Sequence, residues 1–335
     1  MKNVLFKFDV DSGKFAGTGH FYRCLKIYSF LRKKYKNKLK YFFLFIDLNG
    51  SKKIVKKHLN KNLILYKNNF KNSISFMEKN DLIINDTPKK IDKPFLSFCR
   101  KKKISNLVLI DHDKINFSSK YYLINGIFYF KKRIKSSSNV FQGFKYIILD
   151  KEYESINKKT SNNLKILISM GGSDNKNLVY KIYNYLKVLS NIKIYVVVGP
   201  AFKKNNPILK VRNKNFFLIK NNKNLKPFFE KTDVSITAGG ISMFESIASK
   251  NITLVTELYE NQKYSISKLK ELKMINVIGK KNHINSKKLI KIVDYFQKLK
   301  KYKKIICPKN FNLIDGKSFF RIQKIFFKVI NKNIY

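Results

Sequence analysis

The chain has 335 residues, 44% of them hydrophobic and 14% aromatic, which is ample for two cores and excludes a disordered chain. Lys and Arg number 71 against 21 Asp and Glu, a net charge of +50, which alone would suggest nucleic acid or anionic lipid as a partner. Only six of the 71 are Arg, though, and the chain is also rich in Asn, Ile and Phe, so most of the charge reads as compositional drift on solvated faces. A nucleic-acid partner is therefore not expected, whereas attraction of anionic substrates, and weak attraction to an anionic membrane surface, is.

In chain order, Val4–Phe8, Tyr41–Ile46, Leu63–Tyr66, Leu82–Asn85 and Leu107–Ile110 read as strands. Helical patterns fall between them, at Phe21–Lys34 and Ile91–Lys103, with Leu25, Tyr28 and Leu31 expected on the buried side of the first. The polar stretch Lys151–Asn163 predicts a linker between a domain at 1–150 and a second at 164–283. Beyond it, strands are expected at Leu164–Ser169, Ile192–Val198, Asn215–Ile219, Val234–Thr237 and Ile252–Thr256. Helices are expected at Lys176–Leu189, Leu225–Lys231, Ile241–Lys250 and Tyr264–Leu272. Residues 284–335 read as a helical extension packed on the body, with Phe319, Phe320, Ile322, Ile325, Phe326, Val329 and Ile330 as its buried stripe. Such alternation predicts two α/β domains with open parallel sheets, each of Rossmann type, facing a central cleft.

Several classes drop out. No apolar run approaches the ~18 residues of a membrane span, and the first residues lack the apolar core and cleavage site of a secretory leader, so a cytoplasmic location is expected. Cys24, Cys99 and Cys307, like His20, His58, His112 and His283, are scattered without metal-ligand spacing. Neither a metal nor a cofactor is expected.

Four segments carry chemistry, each directly after a predicted strand. Residues 9–20, DVDSGKFAGTGH, bring Gly13, Gly17 and Gly19 before His20, which opens a helix where a neutral imidazole can serve as general base. Residues 170–177, MGGSDNKN, offer the backbone of Gly171 and Gly172 and the Ser173 hydroxyl to a diphosphate, unless Ser173 or Asp174 merely caps the helix. In TAGGISMFES, residues 237–246, Gly239 and Gly240 let a ligand approach, and Glu245 can accept ribose hydroxyls or be an ordinary helix charge. In residues 256–265, Asn261 and Gln262 can bond sugar hydroxyls or cap the next helix.

Together, GTGHFYRCL, MGGSDNKNL, SITAGGISMFES and ENQ resemble the UDP-2,4-diacetamido-2,4,6-trideoxy-β-L-altropyranose hydrolase family of pseudaminic acid biosynthesis. That family is similar to the peptidoglycan N-acetylglucosaminyl transferase and shares its GT-B fold. The resemblance covers roughly residues 3–280 and includes QGFKYIILDKEY at 142–153. It implies His20 as the catalytic base, preceded by the Gly17 and Gly19 loop. It further implies Gly171, Gly172 and Ser173 at the diphosphate, Glu245 at the nucleotide and Asn261 at the substrate. Where the family shows Asp-His-Tyr, this chain has Asp86, Thr87 and Pro88. The implied activity is metal-independent hydrolysis of a UDP-sugar to free sugar and UDP, with inversion at the anomeric carbon. A GT-B glycosyltransferase of cell-surface polysaccharide synthesis and a non-enzymatic basic binding protein are the alternatives.

Overall fold

The computed structural model describes residues 2–11, 19–48, 52–59, 64–66, 82–86, 93–103, 107–111, 121–126, 138–159, 161–172, 174, 176–199, 202–220, 224–281, 283–301 and 311–331. They form two compact units, Met1–Asp150 together with Lys317–Tyr335, and Lys151–Gly316.

The first unit is built on a parallel sheet of seven strands. They are β1 Lys2–Asp11, β2 Leu39–Leu48, β3 Ile64–Tyr66, β4 Leu82–Asp86, β5 Leu107–Ile110, β6 Tyr122–Asn125 and β7 Val140–Gln142, in the spatial order β3-β2-β1-β4-β5-β6-β7. Alternation along β1 feeds two cores. Val4, Phe6 and Phe8 point into one, with Phe21, Cys24, Ile27 and Leu31 of helix Gly19–Tyr35. Leu5 points into the other, with Leu44, Ile83, Leu107 and Leu109 and with Phe98 and Cys99 of helix Lys93–Lys101. Burial on both faces accounts for apolar residues at successive positions of β1, Val4, Leu5 and Phe6. Phe6 and Phe43, partners in parallel register, stack with ring centroids 4.9 Å apart.

The second unit repeats the plan. Its strands are β8 Leu164–Ser169, β9 Ile192–Val197, β10 Phe216–Ile219, β11 Val234–Ala238, β12 Ile252–Glu257, β13 Ile275–Lys280 and β14 His283–Ile284, ordered β10-β9-β8-β11-β12-β13-β14. All pairs are parallel except β13 with β14. Leu164, Ile166 and Ile168 pack against Val179, Ile182 and Leu186 of helix Leu178–Leu186 and against Leu289 and Val293 of helix Ser286–Lys301.

Leu25 and Tyr28, partly buried, pack against the first core on the side expected, and Leu31 is fully buried there beside Phe21, Cys24 and Ile27. Three expectations need correction. The stretch expected as a linker packs in the second unit, where Tyr153 is buried and Asn157 N–H donates to Glu230 Oε1 at 2.8 Å. Residues 284–335 are not one extension. Helix Ser286–Lys301 lies in the second unit, whereas helix Ser318–Asn331 completes the core of the first. Within that last helix Phe320 is 56% exposed, one position off a stripe that is otherwise buried as read. Among the described residues, no helix is long and apolar enough to cross a membrane.

Candidate functional site

Each sheet reverses its strand order once, between β1 and β4 and between β8 and β11. In open parallel sheets the carboxyl ends of such a strand pair diverge and leave a crevice, the usual place for a ligand. The chemically equipped residues gather at both.

In the first unit three chain segments converge. His20 is the second residue of helix Gly19–Tyr35, which follows β1; Asp86 ends β4; Asp111 follows β5. His20 Nδ1 lies 2.6 Å from Asp86 Oδ1. Arg23, one helical turn after His20, points the same way and forks onto Asp86, its Nε donating to Oδ2 at 2.6 Å and its Nη2 to Oδ1. Its Nη1 donates to Asp111 Oδ2, and Asp111 Oδ1 accepts the Gly126 N–H at 2.9 Å. Asp86 is fully buried and the His20 side chain is 13% exposed. Burial alone would push the Asp86 carboxyl up. The Arg23 guanidinium and the His20 ring outweigh it and hold the group down at about 2.

An ionised carboxylate only accepts, so the hydrogen in the His20–Asp86 contact belongs to Nδ1. Arg23 Nη2, 3.1 Å from the same nitrogen, is then a close neighbour and not a donor to it. In the neutral imidazole Nε2 then carries the lone pair, as a proton acceptor requires. Cys24 adds nothing reactive: burial, and then the Asp86 charge, push its thiol well above the ordinary range.

In the second unit Gly171 and Gly172 follow β8. Gly171 takes φ +90°, a conformation L side chains rarely adopt. Gly199, after β9, presses on this turn: a Cβ there would stand 2.5 Å from the Gly171 carbonyl oxygen and 2.4 Å from that of Gly172. Asp174 is the cap of the helix that follows, accepting from Leu178 N–H at 2.7 Å, Val179 N–H at 3.2 Å and Asn206 Nδ2 at 3.1 Å. Gly239 and Gly240 join β11 to helix Ile241–Ala248, and Glu245 is buried within that helix. Gln262 Oε1 accepts from Leu258 N–H at 3.0 Å and Tyr259 N–H at 3.3 Å, bonds that cap the short turn Glu260–Gln262 and not helix Lys263–Glu271. The buried hydroxyls of Thr237 and Thr256, near the carboxyl ends of β11 and β12, have no hydrogen-bond partner among the described residues.

Gly13, Gly17, Thr87, Pro88 and Ser173, and the side chain of Asn261, lie outside the described residues. Gly19 opens the helix that carries His20. The expected residues thus fall into two sets, His20 and Gly19 in one unit and Gly171, Gly172, Gly239, Gly240, Glu245 and Gln262 in the other. Arg23, Asp111 and Gly199 were not singled out from the sequence. The signal for Arg23 was its rarity in a chain of lysines, and for Asp111 an acid directly after an apolar strand. Among the described residues, no three of His, Cys, Asp and Glu stand together as a metal-ligand set.

No family model matches the chain. It is 30% identical over 277 residues to the uncharacterized protein MJ1062 of Methanocaldococcus jannaschii, covering 75% of this chain and 55% of that protein. It is 26% identical over 153 residues to the spore coat polysaccharide biosynthesis protein SpsG of Bacillus subtilis, covering 42% of this chain and 44% of SpsG. The chain spans about half the length of the curated relatives it matches. Among solved structures, MurG of Acinetobacter baumannii superposes with a TM-score of 0.62 over 95% of each chain at 12% identity, a likeness of fold. With its two doubly wound parallel sheets, the chain has the GT-B-like fold.

Proposed function

We propose that the chain hydrolyses a UDP-linked diacetamido-trideoxy sugar to free sugar and UDP, in the synthesis of a nonulosonic, pseudaminic-acid-like sugar. The observation that carries this reading is the His20–Asp86 pair at the strand-order reversal of the first unit, where His20 Nδ1 lies 2.6 Å from the fully buried carboxylate. The motif resemblance, the GT-B-like fold and the polysaccharide context in the name of SpsG support it.

In this reaction Nε2 of His20 takes a proton from water as the water oxygen bonds to the anomeric carbon. The bond from that carbon to the diphosphate oxygen breaks, and its electron pair leaves with UDP. Asp86 keeps the ring oriented and stabilises the imidazolium that forms, without itself accepting the proton. The Gly171–Gly172 turn, with Ser173, takes the leaving diphosphate through backbone N–H groups. Gly239, Gly240, Glu245 and Asn261 are assigned to the nucleotide and sugar, and Gln262 through its amide nitrogen, its oxygen being engaged by Leu258 N–H and Tyr259 N–H. Because the base delivers water opposite the leaving group, the anomeric centre inverts.

The test is proton NMR of the protein with a panel of UDP-sugars. The expected result is free sugar of inverted anomeric configuration, forming at a rate that candidate acceptor glycans or lipids do not change. UDP release only in the presence of such an acceptor would make His20 the base for its hydroxyl and the protein a glycosyltransferase.

A further inference from the structure

Arg23 and Asp111 are a costly arrangement. The Arg23 and Asp111 side chains are only 7% and 4% exposed, and Asp86 is fully buried. Withdrawing such charges from water costs several kcal/mol each, recovered only by near-ideal geometry. That geometry is present: Arg23 engages both oxygens of Asp86 and, through its remaining terminal nitrogen, Asp111. A lysine, with a single ammonium, could not span these sites. In a chain whose cations are overwhelmingly Lys, an Arg stands here.

Asp111 is also held in an unusual backbone state, φ 50° directly after β5. This left-handed conformation is uncommon for residues other than glycine, Asn and Asp tolerating it best. There one carboxylate oxygen meets the Gly126 N–H at the end of β6 and the other meets Arg23. The carboxyl ends of β5 and β6 therefore anchor Arg23 through Asp111.

We propose that Arg23 and Asp111 are positioning residues for the base, fixing the Asp86 carboxylate so that it holds the His20 ring with Nδ1 protonated and Nε2 bare. The free neutral imidazole prefers the opposite tautomer, so an unsupported ring would present a donor where an acceptor is needed. This inference rests on the reading of His20 as base, but its first test needs no turnover.

The chain, labelled with 15N in its four histidines, is followed by NMR across a pH series up to the range in which the ring signals no longer change, with His20→Gln to assign the His20 signals. The expected signature is a protonated Nδ1 and a bare Nε2. Asp111→Asn tolerates the backbone conformation and can still accept from Gly126, but turns a neutral amide towards Arg23. Arg23→Lys keeps the charge and loses the fork. In both, the Nδ1–H form should give way to a mixture, and kcat should fall about tenfold or more with KM unchanged. A protonated Nε2 in the unaltered protein overturns the proposal. So do wild-type signatures and kcat in both folded variants, or failure of both to fold, which would make the cluster purely structural. If the protein cleaves no UDP-sugar but shows the tautomer and its loss, the function falls and the positioning role stands.

Discussion

A Cβ on Gly199 would lie 2.4 Å from the carbonyl oxygen of Gly172, although the two glycines belong to turns after different strands. The turn proposed to hold the diphosphate is thus shaped from outside as well as by its own sequence. Gly199→Ala must push the Gly171–Gly172 turn, because both of its nearest neighbours are backbone. UDP affinity measured by calorimetry should weaken by about tenfold or more, a loss of about 1.4 kcal/mol. Unchanged affinity would mean that the diphosphate does not sit on this turn.

The base itself is tested by His20→Asn. Turnover should fall by about 10² to 10⁴ while UDP binding stays near wild type. A lowered thermal midpoint with kcat preserved would show that His20 serves only the start of its helix.

Acid should act on the protein partly through Asp86. Its carboxyl sits at about 2 when folded, against 3.8 for an unperturbed aspartate, so ionisation of this group stabilises the fold above about pH 4. That contribution, about 2 kcal/mol, is lost as pH falls from 4 towards 2. Denaturation of the wild type and of Asp86→Asn across that window should show the stability difference between them shrinking by this amount. A difference that does not vary with pH would show the carboxyl to be unperturbed.

The last helix offers a contrast between neighbours. Phe326 is fully buried in the first unit's core, and Phe326→Ala should cost about 3–5 kcal/mol in a denaturant titration. Phe320→Ala, at an exposed position of the same helix, should stay within about 0.5 kcal/mol of wild type. Comparable losses at both would contradict the orientation of the helix.

Ten of the strands could be read from the sequence as short stretches rich in apolar and β-branched residues closed by polar or glycine signals, as in Leu164–Ser169. Of the four missed, Val140–Gln142 and His283–Ile284 are shorter than any period can reveal. The other two, Tyr122–Asn125 and Ile275–Lys280, carry only three apolar residues each, those of the second broken up by Asn276 and Gly279. At the site, glycine-rich turns and His20 stand out locally, since backbone needs are written in local sequence. The Arg23–Asp86–Asp111 cluster does not. Its members are 63 and 88 positions apart, and only the parallel order of β1, β4 and β5 makes them neighbours. The depressed Asp86 carboxyl is likewise a property of the assembled cluster, not of an Asp before Thr87.

The chain leaves the first unit at Asp150 and returns to it only at Lys317. Phe319, Ile322, Ile325, Phe326, Val329 and Ile330 fill the same core as Val4, Phe6 and Phe8, from the opposite end of the polypeptide. During synthesis this core must wait, open on one flank, while the whole second unit is made, on the order of ten seconds or more at ordinary elongation rates. The second unit, by contrast, is continuous and can close as soon as Gly316 has emerged. The later-made half is therefore the first able to finish folding, and a ribosome stalled before the last helix would release a protein with one finished unit and one lacking part of its core.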